Sequence, residues 1–302
     1  MEHQFVPSRF YNTFGTHPPV LSVNSGDIIH TTTLDSRGCD QNQVQKGRRP
    51  NPLTGPFYIS GAHPGDVLAV DLLHIAPNRR YGYCGQTVAE RIVAPQFVRK
   101  LPPQALAEWD VDAEAGTAKL LSPQTALKDL TLTLCPMLGC LGVAPSDGQA
   151  ISSITSGPYG GNMDYRGLVV GTTAYFPVFV EGGLLYLGDG HAVQGDGEIV
   201  GMGIEISMDV TLRVRVIPGW EIAWPRGESD HHIFTMGNAR PLDEALQHAT
   251  TEMLRWLMEK GLDAEAASIL LGQCVEYQIG NVFDPAYTVV CLVSKDLLPP
   301  NS

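Results

Sequence analysis

Alternation of apolar and polar positions predicts β-strands along most of the chain. The clearest run, Met208 to Val216, places valine and leucine on one face and threonine and arginine on the other, which is the period of a strand. A second run, Val67 to Leu73, is typical of a strand with one fully buried face. The turns SGD (25–27) and PGD (64–66) each precede such a run, and the pair is compatible with a duplicated β unit.

The periodicity changes to that of a helix in the last third of the chain. Apolar residues recur every three to four positions over Leu242–Lys260, which predicts an amphipathic helix. Pro241 suits its first turn and Gly261 its C-terminal end. We expect a second helix within Leu262–Gln278, capped by Asp263.

Two segments complete the predicted outline. Residues 77–130 show no sustained period and are interpreted as loops and short pieces covering a sheet, whereas TVVCLVSKDLL (288–298) predicts a closing strand. The fold class is therefore mainly β: a sandwich-like or barrel-like body over residues 1–225 and a smaller α+β element over 226–302 packed on it.

Composition and charge narrow the function classes. The 302 residues include 32 Gly and 22 Pro and are 17% charged, which argues against coiled coils and disorder. The formal net charge is −12 and no basic run reverses it, so nucleic-acid binding is excluded. The six cysteines are too few for a disulfide scaffold and lack the second close pair of a structural zinc site, so we expect reduced, mostly buried thiols.

No targeting segment is evident in the sequence. Residues 1–20 lack the apolar run of a signal peptide, and the most apolar stretch, Tyr175–Leu187, is interrupted by Pro177, Glu181 and a Gly pair. We expect a soluble, cytoplasmic protein without a membrane partner that forms a symmetric homo-oligomer, with a dimer as the default.

The densest polar cluster on an apolar background is GDGHAVQGDGE (188–198). In extended chain Asp189 and His191 point to the same face, and a turn at 195–197 would return Glu198 beside them on a hairpin partner. Carboxylate and imidazole ligands suit Zn²⁺. The alternative is a Gly-rich loop whose aspartates satisfy turn backbone, with His191 as a hydrogen-bonding core residue.

Other candidate residues are less distinctive. Asn162 and Asp164 follow a Gly pair and supply oxygens, although an ordinary Asn/Asp turn is the better explanation of this motif taken alone. Strand parity places His30 and Asp35 on opposite faces unless a bulge intervenes. GxSxG, Walker A and strand-linked GxGxxG motifs are absent from the sequence, and a nucleophilic Cys135 is disfavoured because its strand context predicts burial.

Four strings give the chain a family resemblance. SGDIIHTTTLD, NPLTGPFYISGAHPGDVLAVDL, GGNMD and PVFVEGGLLYLGDGHAVQGDGEIVGMGIE resemble the acetamidase/formamidase family in the expected order, over roughly residues 15–295. The resemblance implies a β-sandwich-like body with a smaller α/β part, and hydrolysis of short linear amides to a carboxylate and ammonia. Tyr159 and His63 depart from the family pattern, which leaves open another C–N bond, as in a urea-like or guanidine-like substrate.

The resemblance also implies a set of site residues. Its main motif falls on Asp189, His191, Gln194, Asp196 and Glu198; Asn162 and Asp164 fall on GGN-x-D, Asp35 on T-x-D, and Glu205 on a later acidic position. We expect a divalent metal ion, with Zn²⁺ preferred and Ca²⁺ as the alternative, held by Asp189, His191, Asp164 and Asp35. The candidate catalytic residues are Glu198, Glu205 and Asn162.

Two questions stay open at this point. Glu198 is either a ligand or the general base, with Glu205 as its rival, and on a plain strand both reach one site only if residues 201–203 bulge. The alternative functions are a non-catalytic β-sandwich that binds a small ligand or Ca²⁺, and a metal enzyme of non-hydrolytic chemistry.

Overall fold

Strands dominate the computed structural model, which describes residues 1–299. In these residues the strands are β1 (Glu2–Gln4), β2 (Thr13–Phe14), β3 (Leu21–Asn24), β4 (Ile28–Thr32), β5 (Thr54–Ser60), β6 (Val67–Pro77), β7 (Tyr81–Gly85), β8 (Leu106–Asp112), β9 (Thr117–Ser122), β10 (Thr131–Thr133), β11 (Met137–Gly142), β12 (Ile151–Ser152), β13 (Ser156–Gly157), β14 (Gly160–Asn162), β15 (Thr173–Pro177), β16 (Leu185–His191), β17 (Met208–Ile217), β18 (Arg226–Glu228), β19 (His232–Ala239), β20 (Glu276–Asn281) and β21 (Tyr287–Ser294).

The helices are fewer. Two α-helices, α1 (Leu242–Glu259) and α2 (Ala264–Cys274), lie near the C-terminus of the described chain, and short 3₁₀ turns occur at Glu90–Ile92, Pro95–Lys100, Asp196–Glu198 and Lys295–Leu297.

Two large sheets organise the strands. The larger has nine strands in the order β1-β4-β17-β6-β15-β18-β19-β21-β20, and the second has six in the order β13-β14-β11-β16-β5-β3. A four-stranded sheet, β10-β9-β8-β7, and the pair β12-β2 complete the set. Because β15 pairs with β18, strands from residues 1–225 and 226–302 share one sheet; the division into a body and a packed element stays a prediction.

Alternating burial produces three layers. On β6, Leu68 and Val70 belong to a core shared with the six-stranded sheet, while Val67 and Ala69 face a second core formed with the two helices. Both faces of this strand are therefore buried, whereas the sequence pattern predicted one. The nine-stranded sheet is the middle layer, with the six-stranded sheet on one side and α1 and α2 on the other.

The structure confirms the mainly β class with a small C-terminal helical element. Helix α1 ends one residue before the predicted end, and Asp263 caps α2 by accepting a hydrogen bond from the Ala266 amide at 2.8 Å. The loop interpretation of residues 77–130 was wrong, because β7, β8 and β9 lie there. Strand β8 does alternate, burying its alanine, tryptophan and valine, but its Glu and Asp residues have low strand propensity and conceal it.

The turns at 25–27 and 64–66 have the same geometry. Gly26 and Gly65 both have φ of +93°, a conformation that favours glycine. The Asp27 carboxylate accepts a hydrogen bond from the Asn24 amide, and that of Asp66 accepts one from the His63 amide, both at 2.9 Å. Each turn leads from the six-stranded to the nine-stranded sheet, and β3 lies parallel to β5. The two turns therefore share their geometry and connect the same two sheets, and the duplicated β unit stays a prediction.

Cysteines and apolar helices bear on two further expectations. All six cysteines are free; Cys140 and Cys291 are buried, but Cys135 is exposed, so the predicted burial of Cys135 was wrong. It lies between β10 and β11 rather than inside either strand.

The described residues contain no helix with the length and hydropathy needed to span a membrane. The cytoplasmic location and the dimer stay predictions.

Candidate metal centre

His191 is the central residue of a buried polar cluster at the end of β16. Its Nδ1 donates a hydrogen bond to Oε1 of Gln194 at 2.8 Å. The Gln194 amide is oriented because its Nε2 donates to the backbone carbonyls of Asp164 and Gly280. Since Oε1 of Gln194 only accepts, the proton stays on Nδ1 and Nε2 is the nitrogen presented to the cluster.

Four carboxylates lie near the His191 imidazole, and two of them are close to its Nε2. Oε1 of Glu205 lies 3.0 Å away and Oδ1 of Asp189 3.7 Å away, without the alignment of a hydrogen bond. Ligand atoms of Asp189, His191 and Glu205 lie within 4.8 Å of one another, and so do those of Asp164, His191 and Glu198. These residues could therefore hold a metal ion, with His191 common to both sets.

Asparagine side chains orient three of the carboxylates. Asn51 donates to Oδ2 of Asp189 at 2.9 Å. Asn281 donates both to Oδ2 of Asp164 at 2.6 Å and to Oε2 of Glu198 at 2.8 Å. Each carboxylate is thus held through one oxygen, which leaves its other oxygen for the interior of the cluster.

Unpartnered buried atoms show that the cluster fits a cation. Oδ1 of Asp164, Oδ1 of Asp189, Nε2 of His191 and Oε2 of Glu205 are all buried without a hydrogen-bond partner. A single such atom costs about 1–3 kcal/mol, so four in one place favour a bound cation that would contact them. Carboxylate oxygens and an imidazole nitrogen are ligands of Zn²⁺ and similar divalent ions.

Gly139 of β11 leaves room for this arrangement. The pairs Leu138–Gly190 and Cys140–Gly188 place it opposite Asp189. A Cβ on Gly139 would collide with Oδ1 of Asp164 and lie 2.8 Å from Oδ2 of Asp189. A side chain here would therefore fill the space between the two carboxylates.

Backbone strain coincides with the acidic residues. Asp164, Asp189 and Glu198 adopt φ of +47°, +55° and +47°, the left-handed region that side chains rarely enter. Such conformations cost on the order of 1–3 kcal/mol each and concentrate at functional sites. The surrounding hydrogen bonds fix all three carboxylates in this arrangement.

Burial and mutual repulsion shift the pKa values of the cluster. Burial raises the pKa of Asp164 and of Glu198 well above the ordinary carboxyl range, and raises the pKa of Glu205 to about 7 despite the opposing effect of His191. Burial alone would lower the pKa of His191, but Glu205 and Asp189 outweigh it and raise that pKa. The metal-free cluster therefore retains protons that a cation would displace.

A cavity of about 200 Å³ opens onto the cluster. This volume is below the about 300–1,000 Å³ of pockets for drug-sized ligands, so it suits a molecule of few non-hydrogen atoms. The cavity is lined by Ser36, Arg37, Arg49, Pro50, Asn51, Ile154, Asn162, Asp189, Glu198, Gly201, Met202, Glu205 and Asp284.

Six of the seven residues predicted from the sequence lie together here: Asp189, His191, Glu198, Glu205, Asn162 and Asp164. Glu198 arrives by a 3₁₀ turn rather than on the expected hairpin partner. Glu205, not Glu198, is bridged to His191. On a plain strand Glu198 and Glu205 would face opposite sides, but residues 199–207 form no regular strand, so both side chains reach the same site.

Asp35 lies elsewhere in the arrangement. Its Oδ2 forms a buried ion pair with Arg79 at 2.6 Å, and its Oδ1 accepts the amides of Arg37 and Cys39 at 2.9 Å. It is in neither set of potential ligands. Both oxygens instead fix the turn that places Ser36 and Arg37 at the cavity.

Three contributing residues were missed from the sequence. Asn281 is the last residue of β20 and Asp284 follows in the β20–β21 connection, and no sequence spacing links either to Asp164 or Glu198. Burial raises the pKa of Asp284 to about 6. Asn51 is the first residue of the NPLTGP string. The family resemblance of that string was the only feature of the sequence that could have pointed to Asn51.

Comparisons with known proteins identify a family and solved structures of similar fold. The model of the acetamidase/formamidase family matches residues 15–153 and 148–298. An acetamidase structure from Yersinia enterocolitica is 31% identical, with a TM-score of 0.86 over 99% of this chain and 93% of that one. The structure of a predicted acetamidase/formamidase from Thermoanaerobacter tengcongensis is also 31% identical, with a TM-score of 0.85 over 98% of this chain and 97% of that one.

A curated relative is matched over a shorter region. The acetamidase of Mycolicibacterium smegmatis is 29% identical over 242 residues, which are 63% of this chain and 59% of that protein. The alignment thus spans about three fifths of the curated relative's length. From the family model and the structural likeness, this chain belongs to the acetamidase/formamidase family.

Proposed function

We propose that this protein hydrolyses short linear amides to a carboxylate and ammonia with the help of a divalent metal ion. The observation that carries the proposal is Nε2 of His191, fully buried and facing Asp189 and Glu205 without a hydrogen bond. The family membership and the acetamidase names of the relatives support amides as the substrate class. The small cavity supports a short acyl chain.

His191, Asp189, Asp164 and Glu205 are the residues that would hold the ion. Their mixture of one imidazole and several carboxylates favours Zn²⁺ over Ca²⁺, whose sites are built from oxygen atoms alone. Such an ion supplies Lewis-acid polarisation of the amide carbonyl and lowers the pKa of water.

Glu198 is our candidate for the general base. One of its oxygens is held by Asn281, and the residue lines the cavity, so the other oxygen can take a proton from water and deliver it to the leaving amine. Glu205 lies against His191 and is better placed as a ligand. Asn162 orients Asp164 with a 2.8 Å hydrogen bond, and Asp35 positions the 36–37 turn.

Ammonia release from formamide and acetamide tests the proposal. Purified protein is assayed before and after chelation, and again after Zn²⁺ is restored. We expect chelator-sensitive release that Zn²⁺ recovers. Ammonia release that survives complete metal removal contradicts the metal dependence. Tightly held metal without ammonia from either amide favours the ion-binding or non-hydrolytic alternatives.

A further inference from the structure

Two arginines line the same cavity as the acidic cluster. Arg37 is half-buried and Arg49 is exposed at the opening. Among residues 1–299 neither guanidinium forms an ion pair, and Nε of Arg37 is buried without a hydrogen-bond partner. The nearest carboxylate in sequence, Asp35, is already paired with Arg79.

The Arg37 guanidinium is held in place without an anion. Its central carbon lies 4.5 Å from the centre of the Tyr83 ring, a cation–π contact. The Tyr83 hydroxyl in turn contacts Oγ of Ser36 at 3.2 Å, and the backbone of Arg37 is tied to Asp35. A half-buried, oriented guanidinium whose buried Nε has no hydrogen-bond partner is prepared for an acceptor that the described chain does not supply.

We propose that the substrates include short amides that carry a carboxylate, which Arg37 binds with Arg49 contributing at the opening. This inference rests on the proposed amide hydrolysis. A neutral amide offers no group that matches the planar fork of a guanidinium, whereas a carboxylate accepts two parallel N–H···O bonds. The reaction breaks the C–N bond, forms a C–O bond from water, and releases ammonia and a dicarboxylate, so water is the only co-reactant.

The negative net charge of the chain makes positive side chains at the cavity more important for binding an anionic substrate. At −12 the average field repels an anionic substrate, and the cavity adds four carboxylates of its own. Local positive charge at the opening is the usual means of attracting an anion against such a field.

Malonamate and malonamide form the diagnostic pair, because they have the same shape and differ in one negative charge. We expect wild-type kcat/KM to favour malonamate by about 10-fold or more, as for a hydrogen-bonded charge. Arg37→Gln should remove that preference, Arg37→Lys should restore part of it, and Arg49→Gln, at an exposed position, should reduce it. Arg80→Gln, which removes an exposed pair with Asp110, is the matched control and should not change the ratio.

The outcomes separate this inference from the proposed function. Equal wild-type kcat/KM for the two substrates overturns the carboxylate preference, while ammonia from formamide or acetamide keeps the amidase. If Arg37→Gln lowers kcat/KM equally for both substrates, Arg37 only compensates the charge of the acidic cluster. That result also overturns the carboxylate preference. The absence of ammonia from every amide overturns the amidase itself and this inference with it.

Discussion

Gln194 fixes the ring of His191 through the 2.8 Å bond to Nδ1, while its own amide is held by the carbonyl of Asp164. One side chain therefore connects two potential ligands, on β16 and after β14. This connection explains why an amide occupies the position. A carboxylate would also accept from Nδ1, but it could not donate to the carbonyl, and it would add a charge to a crowded acidic site.

Replacing Gln194 with Met should weaken metal binding. The substitution keeps the side-chain volume but removes the acceptor for Nδ1, and loss of such a partner typically costs 10–100-fold in metal affinity. Zinc affinity measured by competition with a chromophoric chelator checks this expectation. Gln149→Met, at an exposed position, is the control, and equal zinc affinity in both variants would show that Gln194 does not orient the ligand.

Replacing Glu198 with Gln should separate chemistry from metal binding. The amide keeps the shape but cannot take a proton, so kcat for acetamide should fall by about 10²-fold or more while metal content is retained. Glu205→Gln is the comparison, and it should lose metal together with activity. Metal loss in Glu198→Gln with metal retained in Glu205→Gln would exchange the two roles.

The main features of the fold were predictable because they depend on local periodicity. Apolar residues alternate with the period of a strand over residues 208–216, which lie in β17. They recur with the period of a helix over residues 242–260, which form α1 except for the last residue. Strand β8 was missed because its acidic residues outweigh three buried side chains in a propensity-based interpretation.

The site was predictable only where its residues are close in sequence. Asp189 and His191 lie two positions apart, so a short motif reveals them. Asn281 reaches Asp164 across 117 positions and Glu198 across 83, a proximity created by the meeting of two sheets. Asp35 is the opposite case: its position in a family motif indicated a ligand, whereas its carboxylate is paired with Arg79, on a different segment.

Asp35→Asn tests whether this residue supports the turn or binds metal. The pair with Arg79 is buried, with 4% and 2% of the two side chains exposed, and removing one partner of such a pair typically costs about 3–5 kcal/mol. We expect urea unfolding to show a loss of that order while the folded variant keeps its metal. A folded variant of normal stability that has lost its metal would instead make Asp35 a ligand.

Metal removal should destabilise the protein more at higher pH. Below its unfolded value of 4.5 the Glu205 carboxyl is neutral in both states, and its folded pKa of about 7 favours the folded state at low pH. That stabilisation is lost as the pH rises from 4.5 through 7, where the folded metal-free cluster must lose protons. The difference in Tm between metal-loaded and chelated protein should therefore be larger at pH 8 than at pH 5.5, and a pH-independent difference would contradict this account.

Gly139→Ala should abolish metal binding without removing the fold. The backbone of Gly139 has no positive φ, so alanine is tolerated locally, but its Cβ would collide with Asp164 and approach Asp189 within 2.8 Å. Because both carboxylates are fixed by asparagines, they cannot move aside without breaking those hydrogen bonds. We expect zinc content and ammonia release to fall together while the far-UV circular dichroism spectrum is preserved. Gly272→Ala, where a Cβ meets nothing within 4 Å, is the matched control, and full metal content in Gly139→Ala would place the ion away from the Asp164–Asp189 pair.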